Sequence, residues 1–232
     1  MPASAPSRMS SPEAPVILST GVARGWTWTR CYLAGDPATR RAVLVDPSTM
    51  DADERTRVDR MLSGWDVGLV VLTHGHCDHI SDARWWSGRL GVPLAGHPDD
   101  LPLFNDPGLN GSEAFGRRLS TGGLDFELNH GDRLEEGVPD SVVMHLPGHS
   151  PGSIGLLFPG HLVSGDTLFK GSIGIDSLPG LGPLWGASIA VEIESIRTRI
   201  FTLPPGTVVH PGHGPDTTAG DEARSNPFAA VR

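Results

Sequence analysis

The chain has 232 residues and a formal net charge of −9, from 18 Lys and Arg against 27 Asp and Glu. That length suits one large domain with a sizeable core, and the acidic balance excludes a general binder of nucleic acid or anionic membranes, which need a basic footprint. Two cysteines, Cys31 and Cys77, are too few for a disulfide framework, and the longest apolar run, Val67 to Leu72, is strand-sized and far short of a membrane span. The opening MPASAPSRMSSPEAP lacks the apolar segment of a secretory signal, so the expected setting is cytoplasmic, with no nucleic-acid and no membrane partner.

Residues 1–15 are rich in Pro, Ser and Ala without periodicity and read as a flexible tail; 16–232 reads as a single domain. VILST and GWTWTRCYLAG are short and rich in β-branched and aromatic residues, and the turn DPATR leads into RAVLVDPS, giving a β-hairpin. MDADERTRVDRMLSG predicts a helix, with acidic residues early, Val58, Met61 and Leu62 on one face, and Gly64 as a stop. WDVGLVVLT predicts a buried strand, ISDARWWSGRLG a second helix and VPLAG a further strand. From His97 to Asp125 turn residues dominate, which predicts a long loop with short helical pieces, serving as a lid or pocket wall. Four short strands are then expected in FELNHGDRLEE, SVVMHLPG, SIGLLFPG and HLVSGDTLF, followed by a helix from Ser188 to Phe201 and the strand GTVVHPG. Strands and helices in two successive sets, without regular βαβ alternation, point to an α/β (α+β) arrangement of two sheets with outer helices.

The strongest chemical signal is THGHCDH, residues 73–79, directly after the apolar strand. Three imidazoles and a carboxylate this close repel when protonated and need partners when buried and neutral. A cation removes both problems, because neutral imidazole and ionised carboxylate are its natural ligands. In an extended segment His74 and His76 point the same way and can share one ion, whereas Asp78 and His79 diverge, as suits a turn into a helix and a second ion. LPGHSPGS with His149, LVSGDTLF with Asp166 and VVHPGHGP with His213 repeat the same grammar, a ligand-type residue among small residues at a strand end. Together the segments supply five His and two Asp, enough for two ions joined by one bridging carboxylate.

In these residues the chain resembles the metallo-β-lactamase superfamily, whose HxHxDH signature stands here as His74, His76, Asp78 and His79, with the later His, Asp and His at His149, Asp166 and His213. The resemblance runs from about Val16 to Phe228 and implies a four-layer αββα sandwich with the metals at one edge between the sheets. It implies His74, His76 and His149 for one ion, Asp78, His79 and His213 for the other, and Asp166 as the bridge. Within the superfamily the chain is most similar to type II glyoxalases (hydroxyacylglutathione hydrolases) and their short bacterial relatives. LVDPS resembles that group's strand-end aspartate, which places Asp46 as a support for the ligand histidines. SGDTLFKGSIG and GHGPDTTAGDEARSNPF resemble its bridging-aspartate loop and its C-terminal end. Two departures remove the glutathione contacts rather than the hydrolytic centre. The basic residue that follows GSIG in the group is Ile175 here, and only 19 residues follow His213, too few for the helical domain that helps hold glutathione.

The implied activity is hydrolysis of a small-molecule acyl thioester by a metal-bridging hydroxide oriented by Asp78, using two divalent ions, Zn foremost, with Fe and Mn served by the same ligands. No side-chain nucleophile is needed, and no Gly-x-Ser-x-Gly elbow supplies one. Alternatives are a mononuclear iron oxygenase resembling the persulfide dioxygenases, which normally lack the terminal PGHG found here, and a lactone or ester hydrolase of the same fold. Cys77 reads as a small buried filler and Cys31 as core. His145 is a second candidate support for the ligands, while His97, His130, His161 and His210 read as structural or exposed. Lys170, the single lysine, is a candidate for a substrate carboxylate, and Leu181, Leu184 and Trp185 for an apolar acyl pocket.

Overall fold

The computed structural model describes residues 14–23, 28–134, 138, 140–174 and 186–230. Its strands, in chain order, are β1 (Val16–Val22), β2 (Thr29–Gly35), β3 (Arg41–Val45), β4 (Asp66–Val71), β5 (Leu94–Gly96), β6 (Phe126–Glu127), β7 (Val142–His145), β8 (Ile154–Phe158), β9 (His161–Gly165), the small hairpin β10 (Leu168–Phe169) and β11 (Ser172–Ile173), then β12 (Val208–Pro211) and β13 (Thr217–Thr218). The helices are α1 (Ala52–Leu62), α2 (Cys77–Ile80), α3 (Ala83–Leu90), α4 (Leu101–Asn105), α5 (Ile189–Ser195) and α6 (Ala219–Ser225). One sheet runs β1-β2-β3-β4-β5-β6, antiparallel through β3 and parallel beyond it; the other runs β13-β12-β9-β8-β7.

Period-2 alternation builds the layers. On β2, β3 and β4, residues Tyr32, Ala34, Val43, Val45, Leu69 and Val71 face inward and meet Val143, Ile154, Leu156, Phe158 and Val163 of the second sheet. Their neighbours Cys31, Leu33, Ala42, Leu44, Val70 and Leu72 face outward and are covered by Val58 and Leu62 of α1 and by Ala83 and Trp86 of α3. On the far side, Met144, Leu146, Leu162 and Val209 are covered by Ile196 and Ile200. Helix, sheet, sheet and helix form the expected αββα sandwich. Among the described residues no helix is long and apolar enough to cross a membrane.

Helix α1 starts where its caps dictate. The Asp51 side chain accepts from the Glu54 N–H at 2.8 Å, and Glu54 reaches back to the Met50 N–H at 2.8 Å, a reciprocal cap. Three expectations are corrected. Among the described residues of FELNHGDRLEE the strand is the two-residue β6, which pairs parallel with β5 and so belongs to the first sheet. The helix expected over 80–91 is α3 and starts only at Ala83, separate from the turn α2 before it, because tertiary bonds hold Asp82 at the break: Arg55 Nε donates to it at 2.7 Å, and the Thr49 hydroxyl also donates. The helix from Ser188 ends its α-helical course at Ser195 and continues as a π-helical turn over Ile196–Ile200. The 97–125 stretch contains short helical pieces, as expected: Pro98–Asp100, α4 and Ser112–Phe115.

Candidate metal centre

The seven candidate ligands come from four strand ends and the first turn of one short helix, on one edge of the sandwich. His74 and His76 follow β4, Asp78 and His79 lie in the first turn of α2, His149 follows β7, Asp166 ends β9 and His213 follows β12. The structure brings all seven together. His74 Nε2 lies 3.1 Å from His76 Nδ1 and 3.2 Å from His149 Nε2. His213 Nε2 lies 3.3 Å from Asp78 and 3.1 Å from Asp166, and His79 Nε2 lies 3.4 Å from Asp166 and 3.7 Å from Asp78. The ligand atoms of His74, His76 and His149 all lie within 4.8 Å of one another, as do those of Asp78, His79 and His213.

Close backbone approaches hold the cluster. A Cβ on Gly212 would stand 2.0 Å from Asp166 Oδ1. Gly165, just before Asp166, has a φ of +52°, and a Cβ there would stand 2.7 Å from Thr73 Oγ1. Asp46 itself adopts the left-handed region at φ 49°, unusual for a residue with a Cβ. This turns its carboxylate to accept from the Thr73 hydroxyl at 2.6 Å and from His79 Nδ1 at 2.8 Å, which leaves His79 Nε2 aimed at the cluster. His149 Nδ1 donates to the Gly174 carbonyl at 2.8 Å with the same effect on its Nε2.

The residues present fit metal ions on two grounds. First, the donor set is imidazole and carboxylate in a buried pocket. Second, the buried atoms His79 Nε2 and Asp166 Oδ1 have no hydrogen-bond partner among the described residues. Protonation is divided within the cluster. Burial drives the His74 and His76 imidazoles well below their usual range, and neighbouring histidines add to it. Burial also opposes a charge on His79 and His213, but Asp166 and its neighbours outweigh it; His79 stays well above its usual range and His213 is pushed up to about 10. Burial alone would raise Asp78 and Asp166, yet the facing histidines hold both below the carboxylate range.

A pH dependence follows. His79 and His213 carry protons at neutral pH in the metal-free protein, and a cation must displace them. Metal loading at pH 7 is therefore expected to release about two protons per chain from these imidazoles and up to one more from an ionised water, and affinity to fall as pH drops, because protons compete for the same nitrogens. Calorimetric titration in buffers of different ionisation enthalpy measures this; release near zero would contradict the arrangement.

The other candidates lie apart from the ligands or around them. His145 Nε2 donates to the Pro151 carbonyl at 2.9 Å, so it braces the loop after His149 rather than a ligand ring, and its own ring stacks on His97 at 3.9 Å. His97, Asp99 and His145 group their ligand-type atoms, but His97 Nδ1 accepts from the Asp99 N–H at 3.2 Å and His145 Nε2 is committed to Pro151. Cys77 is buried, and burial pushes its thiol up to about 12; Cys31 is core. His161 and His210 pair at 3.0 Å, and His210 pairs in turn with Asp216 at 3.0 Å. Lys170 lines a cavity of about 540 Å³ with Asp216, Thr217, Asp221 and Glu222, none of them a cluster residue. Ile175, Leu181, Leu184 and Trp185 lie outside the described residues.

Two functional neighbours escaped sequence reasoning. The Thr29 hydroxyl donates to Asp78 at 2.9 Å, and buried Asp100 bonds the loops that carry the histidines. A threonine in a strand and an aspartate before a helix carry no distinguishing mark, and the alternation along β2 groups Thr29 with Cys31 and Leu33 of the outer face, so it gives no hint of the bond to Asp78.

The metallo-beta-lactamase superfamily model matches residues 25–216. The hydroxyacylglutathione hydrolase GloC of Haemophilus influenzae is 32% identical over 219 residues, covering 85% of this chain and 91% of the relative. The crystal structure of BLEG-1 B3 metallo-beta-lactamase superposes with a TM-score of 0.81 at 31% identity, over 93% of this chain and all of that one. The di-iron-bound form of TTHA1623 does so with a TM-score of 0.75 at 35% identity, over 91% and 99%. Ligand order, sandwich and matched length agree, and the chain belongs to the metallo-beta-lactamase superfamily.

Proposed function

We propose that the protein is a dinuclear metallohydrolase that cleaves a small-molecule acyl thioester, with zinc as the foremost metal and iron or manganese as alternatives. The observation that carries this reading is the position of the Asp166 carboxylate. It lies 3.7 Å from His149 and 3.1 Å from His213, within reach of a member of each histidine group. His74, His76 and His149 would hold one ion, Asp78, His79 and His213 the other, and Asp166 would serve both. When bound, such a pair supplies a water ionised near neutral pH and positive charge for a carbonyl oxygen.

The chain's own residues do the rest. Asp78, fixed by the Thr29 hydroxyl, orients the water toward the carbonyl carbon. Addition of water breaks the C–S bond and yields a carboxylic acid and a thiol. Cys77 takes no part as nucleophile, since its thiol stays protonated at neutral pH. Lys170, which shares its cavity with Asp216, Asp221 and Glu222 rather than with the cluster, is given no substrate contact in this reading. Similarity to GloC, whose name states hydroxyacylglutathione hydrolysis, supports the thioester class. A mononuclear iron oxygenase with two His and one Asp would leave His213 without a role, although its Nε2 lies 3.3 Å from Asp78 and 3.1 Å from Asp166.

Thiol release from hydroxyacylglutathione and from acyl thioesters of smaller thiols, followed with a thiol-reactive dye, tests the reading. Hydrolysis is expected to vanish on chelation and to return with added metal. Oxygen consumption with a persulfide in place of thioester hydrolysis, or turnover confined to acyl lactones, would overturn it.

A further inference from the structure

Asp100 is fully buried, and its side chain's partners among the described residues are neutral hydrogen-bond donors. Its carboxylate takes three donors. Oδ2 accepts from the Gly75 N–H at 2.8 Å and from the Ser150 hydroxyl at 2.7 Å, and Oδ1 accepts from the Gly152 N–H at 2.6 Å. A lone buried carboxylate is an expensive group for a fold to keep, and apolar residues fill such a space at lower cost.

The identity of the three donors gives the group a use. Gly75 sits between His74 and His76, and Ser150 directly follows His149. One carboxylate therefore ties together the two loops that carry all three histidines of one trio. The approach is too close for ordinary side chains: a Cβ on Gly152 would stand 2.6 Å from the Asp100 nitrogen, and one on Gly75 would stand 2.4 Å from the Leu103 Cβ on α4. Asp46 does a different job, bonding the ring of His79 and the hydroxyl of Thr73. Asp46 reaches His74 only through Thr73, whose hydroxyl lies 3.1 Å from His74 Nδ1, whereas Asp100 joins the His74–His76 loop to the His149 loop.

We propose that Asp100 is the positioning residue of the His74–His76–His149 trio, acting through the backbone of Gly75 and the hydroxyl of Ser150 to set the spacing at which those imidazoles take one ion. The proposal rests on the two-ion reading above. It makes the two ions separable, because Asp100 bonds both loops of the trio and none of Asp78, His79 or His213.

Stepwise Co(II) titration of the metal-free full chain tests it, read by the visible ligand-field bands of each bound ion. In Asp100→Asn, which keeps the volume but loses an acceptor, one binding step is expected to weaken by ~10–100-fold, the range typical for groups that orient metal ligands. The bands of the all-histidine ion should shift with it, while the other step and its bands stay as in the wild type. Ser150→Ala removes one donor and is expected to weaken the same step by less; it also keeps the test open should Asp100→Asn not fold. Equal weakening of both steps, or no change in either, overturns the role of Asp100. If the wild type shows one step only, the two-ion reading fails; Asp100→Asn then still decides the clamp, since an unchanged single step overturns it and a weakened one supports it.

Discussion

Asp166→Ala is expected to lower thioester turnover by roughly 10³-fold, the rate equivalent of the several kcal/mol that a metal centre contributes to the transition state. Its carboxylate lies 3.1 Å from His213, 3.4 Å from His79 and 3.7 Å from His149, so this one side chain reaches both groups of ligands. Its loss also leaves the His79 and His213 imidazoles facing a buried space with less negative charge to balance them. Bound metal is expected to fall together with activity. Asp166→Asn, nearly identical in shape, separates lost charge from lost packing and should show the same deficit. Elemental analysis beside initial rates checks both variants; full metal content with full activity in Asp166→Ala contradicts the bridging role.

The second large effect comes from a residue with no side chain. Gly212→Ala puts a methyl group 2.0 Å from Asp166 Oδ1 and 2.8 Å from His79 Cε1. The backbone cannot easily retreat, because the Gly212 N–H donates to the Gly165 carbonyl at 2.8 Å and the Gly212 carbonyl accepts from the Arg30 N–H at 2.8 Å. The carboxylate must move instead. A displacement of order 1 Å at a reacting centre costs about 10²-fold in rate, and overpacking of this kind costs about 1–3 kcal/mol in stability. Gly88→Ala is the matched control. Gly88 lies in α3 with nothing within 4 Å of a new Cβ, so alanine should stabilise the helix by about 0.5–1 kcal/mol and leave the rate unchanged. Melting temperatures and kcat for the two variants check this; wild-type kcat in Gly212→Ala would mean that Asp166 is not held where the structure has it.

The clustering of the candidate ligands was legible because their signal is local. THGHCDH packs four of them into six positions, and each of the other three stands among small residues at the end of an apolar strand. The sandwich was legible from the same kind of signal: Cys31 and Leu33 face one layer while Tyr32 and Ala34 face the other. What stayed hidden depends on distant partners. Strand β6 is two residues long and exists only as a neighbour of β5, so its own residues could not announce which sheet it joins. The break between α2 and α3 depends on Arg55, which lies 27 positions away from Asp82. Asp100 reads in sequence as one more acidic residue before a helix; its three bonds reach 25 to 52 positions along the chain. Thr29 is likewise an ordinary strand residue until the fold sets it against Asp78 at a separation of 49 positions.

The most direct test of the account is the metal content of the full chain purified without chelators, set beside the same measurement on His213→Ala. The account predicts about two divalent ions per chain for the wild type and about one for the variant, because it assigns His213 to only one of the two proposed sites. A single ion in the wild type, or an undiminished count in His213→Ala, would contradict it.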